Sequence, residues 1–230
     1  MNYWSKYFFP LHSIGVTIVC LIFFYGIGEE TKNKLVLRIP VPNEVYTVEA
    51  YHFISCQLLH INQTHLWNNI ALILSLGSIF EFIHGPIPSI VVFWIGGITG
   101  TMLEAGWWSG PNIRLLGASS GAYALTSGYL AHLSMNWTET PFRLTWLISF
   151  VACTILTILF YFFAEDGPNG IAHVAHLGGF IQGFFVSMVS IRNIRVTREE
   201  NIAKFIGFII SASVVTSVWY RINLIKYMLM

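Results

Sequence analysis

Seven apolar stretches follow one another along this chain, each close to the roughly 17–25 residues a helix needs to cross a bilayer. They run over about 11–28, 66–83, 87–103, 116–134, 144–163, 171–191 and 204–222. Such a pattern leaves little choice of architecture. Backbone N–H and C=O groups find no partners in lipid, so each stretch must satisfy its own by coiling into a helix. Composition agrees, since 55% of the 230 residues are hydrophobic and 10% are charged, whereas a soluble domain carries about 25% charged residues. The expected fold class is an all-α membrane protein, a polytopic helical bundle. A net charge of +1 gives no case for nucleic acid, which selects strongly basic surfaces.

The first stretch has neither a small-residue cleavage site nor a strongly basic start, and reads as a signal anchor. The longest polar connection, 29–53, follows it. It contains Glu29, Glu30, Lys32, Lys34, Arg38, Pro40 and Pro42, then a more apolar return through Tyr51 and Phe53, expected at the interface. Most other connections are short, so neighbouring helices should run antiparallel. Arg192, Arg195, Arg198 and Lys204 form the densest basic cluster, which the positive-inside rule assigns to the cytosol. The N-terminus with Lys6 is then cytosolic, and the C-terminus and the Glu165–Asp166 loop lie on the opposite side. Arg221 and Lys226 run against this assignment. Two glycosylation sequons begin at Asn62 and Asn136. Modification of Asn136 would reverse the orientation. Cys20, Cys56 and Cys153 are odd in number and widely spaced, which suits small apolar side chains better than disulfides or a zinc site.

Polar residues inside apolar stretches call for explanation, because they are costly there. Ser119 opens the fourth stretch in Gly117-Ala118-Ser119-Ser120-Gly121, and His176 lies in the sixth in Ala175-His176-Leu177-Gly178-Gly179. A serine at a helix start can attack a carbonyl while free backbone N–H groups hold the oxyanion. The soluble nucleophile elbow is not expected, because it needs a preceding strand. His176, Gly179 and Gly183 share one stripe. The small residues permit close approach of another helix, with Gly121 and Ala124 as the matching surface. That packing would bring His176 to Ser119 as general base, or leave it a structural histidine. His173, one turn earlier, is the rival base. Tyr123 would pack on the His176 ring. His65 and Asn69, at i and i+4, share a face and can both donate, as an oxyanion site or simply as a polar helix start. Glu81 and Glu104 end the second and third stretches. A metal site built on His60, His65, His173 and His176 has no His-Glu-x-x-His pattern to support it.

Together these residues resemble the rhomboid intramembrane serine proteases. The matching pieces are His60 with His65 and Asn69, Glu81 twelve positions later, Gly117-Ala118-Ser119 with Tyr123-Ala124-Leu125, and Ala175-His176 with Gly179 and Gly183. The resemblance covers about 50–192. It implies a six-helix catalytic core (51–192, with the first helix and loop within 1–50) and a seventh helix in 193–230. It further implies a Ser119–His176 dyad without an aspartate. His65, Asn69 and the Ser119 N–H would hold the oxyanion, Tyr123 would stack on His176, and His60, Gly117, Gly179, Gly183 and Glu81 would support the site. The implied substrates are single-span membrane proteins cut in or near their transmembrane segment, with no metal or organic cofactor. A C-terminal extra helix resembles the secretory-pathway arrangement, so a secretory-pathway or plasma membrane is expected. Two positions depart from the family pattern. Ser120 replaces a glycine and could crowd the oxyanion site, and Tyr51-His52 replaces an aromatic-arginine pair. The alternative is a weak or inactive rhomboid-like protein that binds transmembrane helices for trafficking or degradation. A small transporter would predict an inverted repeat, and none is visible.

Overall fold

The computed structural model describes residues 9–38, 49–108, 114–162, 172–191 and 198–228. Lys6, Pro40, Pro42, Glu165, Asp166, Arg192 and Arg195 lie outside the described residues, as do the side chains of Cys153, Arg221 and Lys226.

The bundle is built from α1 (Leu11–Gly26), α4 (Gln63–Leu72) continuing through a π-helical turn into α5 (Ser78–His84), α6 (Pro86–Leu103), α7 (Ser119–Met135), α8 (Arg143–Phe162), α9 (His173–Ser190) and α10 (Arg198–Met228). Two short helices, α2 (Glu29–Leu35) and α3 (His52–Ser55), sit in the first connection. Among the described residues, Gln63–His84, Pro86–Gly106 and Arg198–Tyr220 are long and apolar enough to cross a membrane. Leu11–Gly26 and Arg143–Ala152 are shorter apolar helices. Neither Glu81 nor Glu104 ends its helix: α5 runs on to His84, and Glu104 opens a π-helical turn reaching Trp108.

One two-residue antiparallel ladder pairs β1 (Leu37–Arg38) with β2 (Arg114–Leu115). A strand was not expected before Ser119, and this correction is small. The ladder ties two loops together and is no central sheet, so among the described residues the elbow of soluble hydrolases has no scaffold. The first connection is also held by His52. Its Nδ1 accepts the Glu49 N–H at 3.0 Å, which leaves Nε2–H to face the Lys34 carbonyl at 3.2 Å. Ser55 Oγ–H donates to Leu35 O at 2.6 Å. His52 and Ser55 therefore anchor this loop by hydrogen bonds.

The densest packing is among α6, α7 and α9. Glycines make it possible. A Cβ on Gly183 of α9 would overlap the Ala124 Cα of α7, and a Cβ on Gly96 of α6 would overlap the Ala124 Cβ. Backbones this close gain van der Waals contact that larger side chains would forbid. The matching surface on α7 differs in one residue from the expected one. Ala124 faces Gly183, but Gly121 faces α6, where its Cβ would lie 2.6 Å from the Phe93 ring.

Outer helices bury a few apolar side chains, Val16 and Cys20 on α1 and Val218 on α10, and add polar points of attachment. Glu81 is fully buried. Its carboxylate accepts the His12 N–H at 2.8 Å, and the Ser13 N–H and Oγ–H at 2.9 Å each. The N-cap of α1, Pro10, offers no side-chain bond, so Glu81 supplies from α5 the acceptor that the first turn of α1 lacks. On the other side, Gln182 Nε2–H of α9 donates to Ser211 Oγ of α10 at 2.7 Å.

Candidate active site

The site lies where α7 and α9 begin. Ser119 is the first residue of α7, and His176 stands in the first turn of α9. Ser119 Oγ and His176 Nε2 are 2.8 Å apart, a hydrogen-bond distance. Ser119 is buried and His176 half-buried. Tyr123, one turn below Ser119, stacks on the His176 ring with centroids 4.7 Å apart and planes 18° from parallel. His173, the rival base, is exposed at the first position of α9.

Gly117 fixes the entry into α7. Its φ is +123°, a conformation that L side chains rarely adopt. Its N–H donates to Cys56 O at 2.9 Å, tying the turn to the segment before α4. A Cβ there would come 2.6 Å from His65 Nε2 and 3.5 Å from Asn69 Nδ2. His65 and Asn69 therefore stand against the backbone two residues ahead of Ser119. The start of α4 is set by Asn62, whose Oδ1 accepts the His65 N–H at 2.8 Å, an asparagine N-cap. One turn on, Asn69 is 1% exposed, and its amide nitrogen and oxygen have no hydrogen-bond partner among the described residues. A buried amide left unpaired costs free energy, so Asn69 has capacity for a further hydrogen bond. On α7, the Ala118 N-cap makes no side-chain bond. The opening N–H groups of α7, that of Ser119 included, have no intrahelical partner.

His60 packs edge-on against His65, ring centroids 5.2 Å apart. Burial pushes its pKa down to about 3, and the neighbouring His65 adds to the shift. It is therefore a neutral ring supporting His65. Gly179 faces Ser120, where a Cβ would meet Ser120 Oγ at 2.6 Å. Gly183 seats α9 on Ala124. Glu81 does not join this group, and its carboxylate belongs to α1. Cys56 is free and buried, its thiol pushed up to about 12 by burial, in keeping with an apolar filler.

Residues 47–193 match the family model described as Rhomboid domain. The chain is 30% identical over 186 residues to Rhomboid-related protein 1 of Caenorhabditis elegans, covering 76% of this chain and 49% of that protein. It is 26% identical over 201 residues to Rhomboid-related protein 3 of Homo sapiens, covering 80% and 49%. It is 26% identical over 144 residues to Rhomboid-like protease 2 of Toxoplasma gondii, covering 63% and 49%. The chain belongs to the rhomboid family. It spans about half the length of these curated relatives. The matched rhomboid segment contains Ser119, His176, His65, Asn69 and the glycines around them, while α1 and α10 lie outside it.

Two contacts near the rhomboid site were missed from sequence. Ser120 does not crowd the His65–Asn69 side. It is 1% exposed, and its Oγ–H donates across to Ala175 O at 2.8 Å. Glu104 Oε2 accepts the Ala175 N–H at 2.9 Å. A carboxylate paired with a backbone amide 71 positions away leaves no local pattern. The available signal was a carboxylate in an apolar stretch, where an acid must find donors. Asn136 is fully buried, and its Nδ2–H donates to His132 O at 3.2 Å.

Proposed function

We propose that this protein is an intramembrane serine endopeptidase acting on single-span membrane proteins. The observation that carries the reading is the 2.8 Å contact between Ser119 Oγ and His176 Nε2. In the proposed cycle, Nε2 takes the Ser119 proton as Oγ attacks the scissile carbonyl. The oxygen of the tetrahedral intermediate then bears negative charge. The Ser119 N–H, the unpaired Asn69 Nδ2–H and the His65 ring nitrogen converge from α7 and α4 to hold it. His176 next protonates the leaving amine, and water releases the acyl group from Ser119. Tyr123 restrains the imidazole by stacking and so limits the orientations it must search.

A helical substrate hides its carbonyls in hydrogen bonds, so the cut segment must unwind first. Small residues and helix breakers near the bond favour that. The basic residues Arg198 and Lys204 at the start of α10 support a cytosolic position for that end. The secretory pathway or plasma membrane is the proposed location, the bilayer its surrounding. No nucleic-acid partner and no cofactor enters the mechanism.

The test is cleavage of a transmembrane reporter by the detergent-purified chain and by Ser119→Ala. The expected result is cutting by the wild type and a loss of roughly 10⁴-fold or more in the variant. Equal cutting by both, or cutting by neither, overturns the reading. The latter result favours a helix-binding protein, whose cellular effect Ser119→Ala should preserve.

A further inference from the structure

We propose that Glu104 and Ser120 are positioning residues: they grip the backbone of Ala175 from two sides and so set where the next residue, His176, meets Ser119. The inference rests on the dyad reading above.

Ala175 is the third residue of α9. Its N–H is one of the opening donors that a helix cannot satisfy internally. The N-cap of α9, Ala172, makes no side-chain bond. Glu104 fills the gap from the π-helical end of α6, accepting that N–H at 2.9 Å. A carboxylate here also faces the positive end of the α9 dipole. Ser120, beside the nucleophile on α7, donates to the carbonyl of the same residue at 2.8 Å. One peptide group on either side of Ala175 is thus held, the first by α6 and the second by α7. The His176 N–H closes the turn on Ala172 O at 3.1 Å.

The slot that takes the Ser120 hydroxyl is built for it. Gly100 of α6 and Gly179 of α9 line it. A Cβ on Gly100 would overlap Ser120 Oγ and the Ala175 carbonyl, and one on Gly179 would lie 2.6 Å from Ser120 Oγ. Glu104 is 6% exposed, Ser120 1% and Ala175 3%, so water does not compete for either bond. These contacts reach the His176 ring through its backbone. A single hydroxyl thus ties the helix that carries the nucleophile to the helix that carries the base, one residue from each.

The experiment uses the full chain in detergent, with reporter kinetics and amide hydrogen exchange over 173–179. Glu104→Ala and Ser120→Ala should each lower kcat roughly 10–100-fold with KM little changed, and speed exchange within 173–179 alone. Glu104→Gln keeps an acceptor and should recover most of the rate. Wild-type kcat in both alanine variants overturns the proposal. So does faster exchange spread evenly over all helices, which would mark a merely structural role. If the wild type itself does not cut, the dyad reading falls, and the exchange data alone decide the clamp: local acceleration supports it, unchanged exchange overturns it.

Discussion

The inner helices α6, α7 and α9 and the outer helices α1 and α10 are held by different means. Inside, backbones touch backbones. Gly183 sits on Ala124, and Gly100 faces the Ala175 carbonyl with no room for a methyl group. Outside, side chains meet side chains, Val16 and Cys20 of α1 and Val218 of α10 being buried, and polar points add to them: Glu81 on the first turn of α1, Gln182 on Ser211 of α10. Of the apolar window of α10, 11% is buried inside the protein. Lipid tails are as apolar as leucine, so burial alone gives little drive for helix association in a membrane. Close backbone contact is what makes one arrangement of the inner trio far better than its neighbours. The difference teaches where precision is located. The proposed dyad and the proposed oxyanion donors stand on the tightly packed trio and on α4, and α1 and α10 carry none of them.

The contrast can be broken at one glycine. Gly183→Val should cost about 3 kcal/mol or more, since the added carbon has no space against Ala124. Thermal unfolding in detergent measures it, and a midpoint equal to wild type would mean the inner trio yields as easily as its surroundings.

A smaller effect is expected at Glu81. Replacing it by alanine leaves the His12 and Ser13 donors buried without their acceptor, at a cost of about 1–3 kcal/mol. The loss should appear as faster exchange in α1 before any other helix. Uniform acceleration across the bundle would show that α1 is no separate unit.

The smallest effect should have the opposite sign. Gly15 of α1 has nothing within 4 Å of a would-be Cβ. Gly15→Ala should raise stability by about 0.4–1 kcal/mol by restricting the unfolded chain. A clear destabilisation there would place α1 in a tighter contact than the fold shows.

Much of this arrangement could be read before the fold. The helical spans followed from the apolar runs, because lipid admits few other ways to satisfy a backbone. His176, Gly179 and Gly183 lie on one stripe by helical period alone, and Gly183 does meet Ala124. Other features were not legible, for physical reasons. Gly121 is small like Ala124, but which neighbour a small residue serves depends on helix rotation, and it faces Phe93 of α6. The two-residue ladder between Leu37 and Leu115 is too short to show an alternating pattern. Glu81 and Glu104 look alike in sequence, each a carboxylate late in an apolar run. One caps the outer helix α1 and the other caps the helix that carries His176. The choice between them is made by three-dimensional packing.

The central claim is that the His176 imidazole activates the Ser119 hydroxyl. The most direct measurement is covalent labelling by a serine-reactive fluorophosphonate, with the modified residue located by mass spectrometry, in the wild type and in His176→Ala. The account predicts a label on Ser119 in the wild type and its loss in the variant. A label absent from Ser119, or one that persists undiminished without His176, would contradict it.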